Sequence, residues 1–255
     1  MTTFDLPSPR PDWCLFLDFD GTLVEIADSP QAVRAERHLA GTLTAISDCL
    51  DGALAIVSGR PVAEIDRHLD HDGFPAAGLH GLEIRRCGGH PISRIEVAPP
   101  AAGIREALAA FADAQPGVVL ENKDIALALH YRARPELADA CADAVRKAIE
   151  GHGNLHVLNG KMVIEVKPAA ADKGRAVHRF MEDAPFRGRV PVFVGDDVTD
   201  EDGFRAAHAL GGFGIMIGDG DTAAHWRIGS VSAFLNWLVA MPGRLDLAKT
   251  KKAAP

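Results

Sequence analysis

An α/β fold, in which a Rossmann-like parallel sheet carries an inserted α+β domain, follows from three features of the sequence. Short and wholly apolar runs such as Leu15–Leu17, Ala53–Val57 and Val190–Val194 read as strands buried on both faces. They alternate with segments whose apolar residues recur every three or four positions, as expected of helices packed on a parallel sheet. Between about Leu82 and Pro168 that rhythm gives way to paired short strands and two helices without crossovers.

In chain order, the first strand ends in Asp18-Phe19-Asp20-Gly21-Thr22, where the Asp-Gly pair predicts a turn. A loop to about Pro30 leads into a helix carrying Leu39, Leu43, Ile46 and Leu50. Ala53–Val57 stops at Ser58-Gly59-Arg60, and Pro61 suits the first turn of a helix with Val62, Ile65 and Leu69 on one face. Ala76–Leu79 is a third strand, ended by His80-Gly81. Leu82–Arg86 and Ile92–Val97 flank Cys87-Gly88-Gly89-His90 as a hairpin. A helix over Ala101–Ala114 follows, then a strand pair over Val118–Lys123 and Ile125–Tyr131 and a helix over Pro135–Glu150. His156–Leu158 and Met162–Val166 are expected to pair across an Asn159-Gly160 turn. After Pro168 the parallel rhythm resumes. Lys173-Gly174 opens a helix through Val177, Phe180 and Met181, and Val190–Val194 runs into Gly195-Asp196-Asp197. A helix over Glu201–Leu210, a strand over Phe213–Ile217 and a helix with Val231, Phe234, Leu235 and Leu238 complete the chain, with a frayed tail from Lys249. The expected division is 1–81 plus 169–255 as the core and 82–168 as the insertion.

The 255 residues, 47% of them hydrophobic, suffice for one full core and a second small one. A net charge of -8 without a long basic run argues against a nucleic-acid partner. Cys14, Cys49, Cys87 and Cys141 are scattered and form no CxxC pair, so they read as reduced packing residues. Met1–Asp12 is polar and proline-rich rather than signal-like, and no apolar run reaches the roughly 18 residues of a membrane span. A cytoplasmic protein without a membrane partner is expected.

The polar clusters fall at the carboxyl ends of successive predicted strands, where parallel sheets bind ligands. Asp18 and Asp20, Ser58, Lys173, and Asp196, Asp197 and Asp200 make up the set. Buried carboxylates need compensation, and Mg2+ takes one or two of them plus substrate phosphate. Ser58 and the exposed N–H groups before a helix offer a phosphate site. The chemistry implied is phosphoryl transfer. Asp18 is placed as the nucleophile that forms an aspartyl phosphate, and Asp20 as the acid that protonates the leaving oxygen and later activates water. Lys173 and Ser58 hold the phosphoryl oxygens.

Asp18-Phe19-Asp20-Gly21-Thr22-Leu23, Ser58-Gly59-Arg60, Lys173-Gly174 and Gly195-Asp196-Asp197-Val198-Thr199-Asp200-Glu201 resemble the four motifs of the haloacid dehalogenase phosphatases. The insertion adds Gly78-Leu79-His80-Gly81, Glu121-Asn122-Lys123, His130-Tyr131-Arg132 and Gly160-Lys161 through Pro168, which resemble signatures of the trehalose-6-phosphate phosphatase family. The likeness runs from about Trp13 to Trp237. It implies a haloacid dehalogenase core with an α+β cap, and Mg2+ held by Asp18, the Asp20 carbonyl and Asp196, with Asp197 and Asp200 in support. It also implies a sugar-phosphate substrate contacted by Arg60, His80, Glu121, Lys123, Arg132, Lys161 and Glu165. Charged side chains suit such a ligand, because a neutral disaccharide offers only hydroxyls and charge-assisted bonds to them are the stronger kind. A monomer is expected, and functional coupling to a trehalose-6-phosphate synthase follows from pathway logic alone. Junctions near Gly81 and Pro168 are expected to act as hinges of a lid. The competing readings are a sucrose- or mannosylglycerate-phosphate phosphatase, a mutase of the same superfamily, or a non-catalytic sugar-phosphate sensor.

Overall fold

The computed structural model describes residues 6–26, 35–123, 125–160 and 162–253, and the chain divides into two compact units. The first comprises Met1–Arg94 and Asp172–Pro255, and the second Ile95–Ala171. Of the stretch up to Pro30 expected as a loop, residues 27–30 lie outside the described residues.

The first unit is built on an eight-stranded sheet in the order β12-β11-β10-β1-β2-β3-β4-β5. Its strands are β1 (Trp13–Leu17), β2 (Leu54–Val57), β3 (Ala76–Gly78), β4 (Glu83–Arg85), β5 (Ser93–Arg94), β10 (Val190–Gly195), β11 (Phe213–Ile217) and β12 (Trp226–Ile228). From β12 to β3 all neighbours are parallel, and β4 and β5 add an antiparallel edge. β1 is buried along its whole length. Helices α1 (Leu39–Cys49), α2 (Val62–Leu69), α5 (Lys173–Met181), α6 (Glu201–Ala209) and α7 (Val231–Ala253) cover the sheet. Phe16 stacks on Phe186 with ring centroids 5.4 Å apart, and Phe180 closes the group at 5.9 Å from Phe16, which fastens α5 beneath β1. The chain leaves β1 for β2 on one side and returns as β10 on the other. β1 is therefore the switch point at whose carboxyl end a ligand site is expected.

The second unit is a four-stranded antiparallel sheet, in the order β6-β7-β9-β8, backed by two helices. The strands are β6 (Val119–Lys123), β7 (Ala126–His130), β8 (Leu155–Gly160) and β9 (Val163–Pro168); the helices are α3 (Ala102–Asp113) and α4 (Ala138–Ala148). Leu127, Leu129, Ile164 and Val166 alternate onto one face and pack with Ile104, Leu108, Cys141 and Val145 of the helices. This alternation is the two-residue period of a sheet with one buried face.

The α/β class is the one expected, and four details differ. The hairpin β4–β5 extends the core sheet, so the junctions fall at Arg94–Ile95 and Ala171–Asp172 rather than at Leu82 and Pro168. A hairpin says nothing about which neighbouring sheet its outer edge will join. Asn159 and Gly160 are paired with Ile164 and Val163, so they belong to the strand rather than to the turn, and Met162 beyond them is left-handed at φ 63. β12 is a short strand at the sheet edge that periodicity does not reveal. The last helix continues to Ala253, through Pro242, where a frayed tail is expected from Lys249.

Candidate active site

Asp18 follows the last residue of β1, and its N–H donates to the carbonyl of Val194 in β10 at 2.9 Å. The parallel sheet thus fixes the backbone on which its carboxylate stands. Lys173, the first residue of α5, donates from Nζ to Asp18 Oδ1 and to Asp200 Oδ1, both at 2.7 Å. Asp18, Lys173 and Asp200 are all buried. The other oxygen of Asp200 accepts the N–H groups of Asp196 and Asp197, each at 3.0 Å. Asp200 therefore acts as a staple for the turn that ends β10, and its oxygens are already engaged. Asp197 is exposed and forms a capping box with Asp200 over the short helical turn Val198–Asp200. Gly195 is required here, since a Cβ would stand 2.2 Å from the Asp200 carboxyl carbon. Gly21, at φ +77, is required for a like reason: a Cβ would lie 2.1 Å from an Asp196 oxygen. The Thr22 hydroxyl donates to Asp196 at 3.3 Å.

The electrostatics of this cluster are those of acids in excess over cations. Burial, followed by the charge of Asp200, raises Asp18 well above the usual carboxylate range, against the pull of Lys173. Burial and Asp200 push Asp196 up to about 7. Burial works against the ammonium of Lys173, yet the Asp18 and Asp200 carboxylates outweigh it and raise its pKa. Oxygens of Asp18, Asp196 and Asp200 lie within 4.8 Å of one another. A hard divalent cation fits this donor set, because it relieves the repulsion that one lysine leaves uncompensated. Asp18 and Asp196 are the direct candidates, while the hydrogen bonds of Asp200 assign it to support.

Asp20 points into a different partnership. Both of its oxygens accept from Arg60, at 2.6 Å from Nε and 2.7 Å from Nη2, a bidentate fork. The guanidinium lies over the Phe19 ring, 5.8 Å from its centroid, and its Nη1 reaches His68 Nε2 at 3.1 Å. Burial and the Arg60 charge push His68 down, so the neutral ring accepts. Arg60, expected as a substrate contact, is thus placed on the second aspartate, a partnership that residue order alone does not reveal. The Ser58 hydroxyl accepts the Arg60 N–H at 3.1 Å, and Ser58 is itself buried at the end of β2. His80 is held in left-handed backbone at φ 54, with its N–H on the Ser58 carbonyl at 2.9 Å.

In the second unit, the sheet face opposite α3 and α4 carries polar residues. Pairing runs Glu121–Ala128–Glu165 across β6, β7 and β9, so the two glutamates share that face, roughly 10 Å apart at two strand spacings. Lys123 pairs with Ala126 at the end of β6. His130 Nε2 meets Glu121 at 2.8 Å. Arg132 lies in the turn after β7. Lys161 lies outside the described residues.

An acid at the end of the central parallel strand, a second acid two residues on, a lysine bridging to an acidic turn and an inserted α+β unit together define a haloacid dehalogenase-type phosphatase. Solved haloacid dehalogenase-like hydrolases from Bacteroides thetaiotaomicron and B. subtilis share the fold, with TM-scores of 0.59 and 0.61. Within that class, residues 16–228 match the trehalose-phosphatase family, and the chain belongs to it. It is 38% identical over 236 residues to the trehalose-6-phosphate phosphatase of Escherichia coli K12, covering 92% of this chain and 88% of that one. It is 40% identical over 217 residues to a probable trehalose-phosphate phosphatase of Sinorhizobium fredii, covering 84% and 80%. The C-terminal domain of Candida albicans trehalose-6-phosphate phosphatase shares the fold, with a TM-score of 0.77 at 24% identity, covering 92% of this chain and 93% of that one.

Proposed function

We propose that this phosphatase hydrolyses trehalose 6-phosphate to trehalose and phosphate, with Asp18 as nucleophile. The observation that carries the chemistry is the buried Asp18 carboxylate, hydrogen-bonded to Lys173 at 2.7 Å beside a cluster of acids. The match to the trehalose-phosphatase family supports the substrate. In the first half-reaction an Asp18 oxygen bonds to phosphorus as the bond from phosphorus to the sugar oxygen breaks. Asp20 delivers a proton to that leaving oxygen. In the second, Asp20 takes a proton from water, the water oxygen bonds to phosphorus, and the Asp18–phosphorus bond breaks. Lys173 and the Ser58 hydroxyl hold non-bridging phosphoryl oxygens. Mg2+ held by Asp18, the Asp20 carbonyl and Asp196, with Asp197 and Asp200 in support, would neutralise charge on the transferred group. Glu121, Lys123, Arg132, Lys161 and Glu165 are the proposed ligands of the sugar hydroxyls. A polar face of this kind rejects analogues that lack a hydroxyl more sharply than an apolar pocket does.

The test is phosphate release with Mg2+ from trehalose 6-phosphate, sucrose 6-phosphate, glucose 6-phosphate and p-nitrophenyl phosphate. Strong preference for the first is expected. Comparable rates on all four would remove the sugar assignment and keep the phosphatase, and no release from any would remove both in favour of a sensor.

A further inference from the structure

Ser58 and Arg60 stand in a short loop between β2 and α2, and loops of this kind need outside restraint to hold a phosphate-binding geometry. The restraint comes from the segment 77–83. The Ser58 N–H donates to the Ala77 carbonyl at 2.9 Å, and the Ser58 and Arg60 carbonyls accept the N–H groups of His80 and Leu79 at 2.9 and 3.0 Å. Leu79 and His80 are both left-handed, at φ 49 and 54, a backbone strain that the surrounding bonds must hold. Gly78 permits the approach, because a Cβ there would lie 2.7 Å from the Arg60 carbonyl and from the Val62 nitrogen.

The side chain that completes this lacing is Glu83 of β4. α2 begins after Pro61, which supplies no side-chain cap. The Glu83 Oε2 instead accepts the Val62 N–H at 2.8 Å, from across the sheet. A carboxylate at a helix N-terminus is favourably placed. This one is nearly fully buried, with 3% side-chain exposure, so it needs a cation. Arg94 provides it, with Nε 3.1 Å from Oε1 and Nη2 closer still. Arg94 is the last residue of the first unit before the chain passes into Ile95.

We infer that Glu83 is a positioning residue for the Ser58–Arg60 segment and that Arg94 holds it in place. The inference rests on the phosphatase reading above. Glu83 acts through the Val62 N–H on the loop that presents the Ser58 hydroxyl and on the Arg60 fork to Asp20, so a change in Glu83 alters how phosphate and Asp20 are held.

The experiment measures kcat and KM for trehalose 6-phosphate and p-nitrophenyl phosphate, with the inhibition constant of inorganic phosphate, in Glu83→Ala, Glu83→Gln, Arg94→Ala and a control, Asp66→Asn. Asp66 pairs bidentately with Arg85 on the same helix and strand, at 2.6 and 2.7 Å, but does not touch the loop. Glu83→Ala is expected to lower kcat/KM for both substrates by ~10- to 100-fold, the scale of a misplacement near 1 Å, and to weaken phosphate inhibition. Glu83→Gln, whose amide oxygen still accepts from Val62, should recover most of the loss. Arg94→Ala, at an exposed side chain, should fold and shift both substrates in the same direction by less. Asp66→Asn should lower Tm and leave the kinetic constants near wild type. Wild-type kinetics in Arg94→Ala together with a Glu83→Ala loss no larger than that of Asp66→Asn would overturn the inference. An inactive wild type would instead sink the phosphatase reading, and this one with it.

Discussion

The two units place charge in opposite ways. In the first, Asp18, Lys173 and Asp200 are buried and interlocked, and each makes short contacts that leave little rotamer freedom. In the second, Glu121 and His130 face each other at 2.8 Å while remaining 49% and 40% exposed. Burial makes the first set expensive to alter, because a lone charge left in a low-dielectric interior costs several kcal/mol. Exposure makes the second set nearly free to alter in stability terms. Catalytic chemistry and sugar recognition should therefore separate cleanly by mutation. Changes in the first unit should affect every phosphate ester, and changes on the polar face of the second should affect only the sugar ester.

The sharpest test is Asp18→Asn. Loss of the nucleophile should reduce phosphate release from every ester by roughly 10^4-fold or more, with the circular dichroism spectrum retained. Residual turnover near wild type would end the nucleophile assignment. Chelation follows in size. Excess chelator should stop turnover, and returning Mg2+ at 100 times its dissociation constant should add about 2.7 kcal/mol of stability, read as a rise in Tm. Full activity in excess chelator would dismiss the metal. Lys173→Met is next. It leaves Asp18 and Asp200 buried without their cation and should cost about 3–5 kcal/mol in denaturant unfolding, with a large fall in turnover. A stable, active variant would show that the lysine is not what compensates the two acids.

Legibility in the sequence follows the same contrast between the units. The core motifs could be read because burial restricts what can stand at a strand end. Asp18 needs an apolar strand before it, Asp196 needs Gly21 beside it, and Asp200 needs Gly195, so residue type and spacing carry the geometry. Contacts between remote side chains could not be read in this way. The fork from Arg60 to Asp20 and the bond from Glu83 to Val62 depend on which strands become neighbours, and no local pattern states that. Glu83 is a missed residue, and a weak signal for it existed. An acid set between the apolar Leu82 and Ile84 is a buried charge that must have a purpose. On the second unit, the register through Ala128 brings Glu121 and Glu165 to one face, and the place where β7 stops puts Arg132 in a turn; neither is stated by a local pattern.

A smaller effect separates the units by pH. In the metal-free protein Asp196 lies at about 7 against an ordinary value of 3.8, because of burial and the charge of Asp200. The raised folded value means that the native state binds this proton more tightly than the unfolded chain does. Below about pH 4 the group is protonated in both states and costs nothing. As pH rises toward 7 the unfolded chain ionises first, and stability falls by about 1–3 kcal/mol. Asp196→Asn should make that slope shallower, the raised Asp18 and Asp200 carrying the remainder, and Mg2+ should oppose it in wild type. A slope unchanged by the substitution would place the cause elsewhere.

The smallest expected change in stability is also the most diagnostic for substrate choice. Glu121→Gln and Glu165→Gln alter exposed or half-exposed positions on one sheet face, so each should shift unfolding by less than about 0.5 kcal/mol. For Glu121 the glutamine can still meet His130, which limits the structural loss further. If these glutamates receive sugar hydroxyls, exchanging a charged acceptor for a neutral one should cost about 1 kcal/mol per bond, or several-fold in kcat/KM for trehalose 6-phosphate. Turnover of p-nitrophenyl phosphate, which has no hydroxyl to offer, should stay within twofold of wild type in the same variants. Equal losses on both esters would mean that the polar face supports the chemistry rather than the sugar, and the separation between the two units would fail at that point.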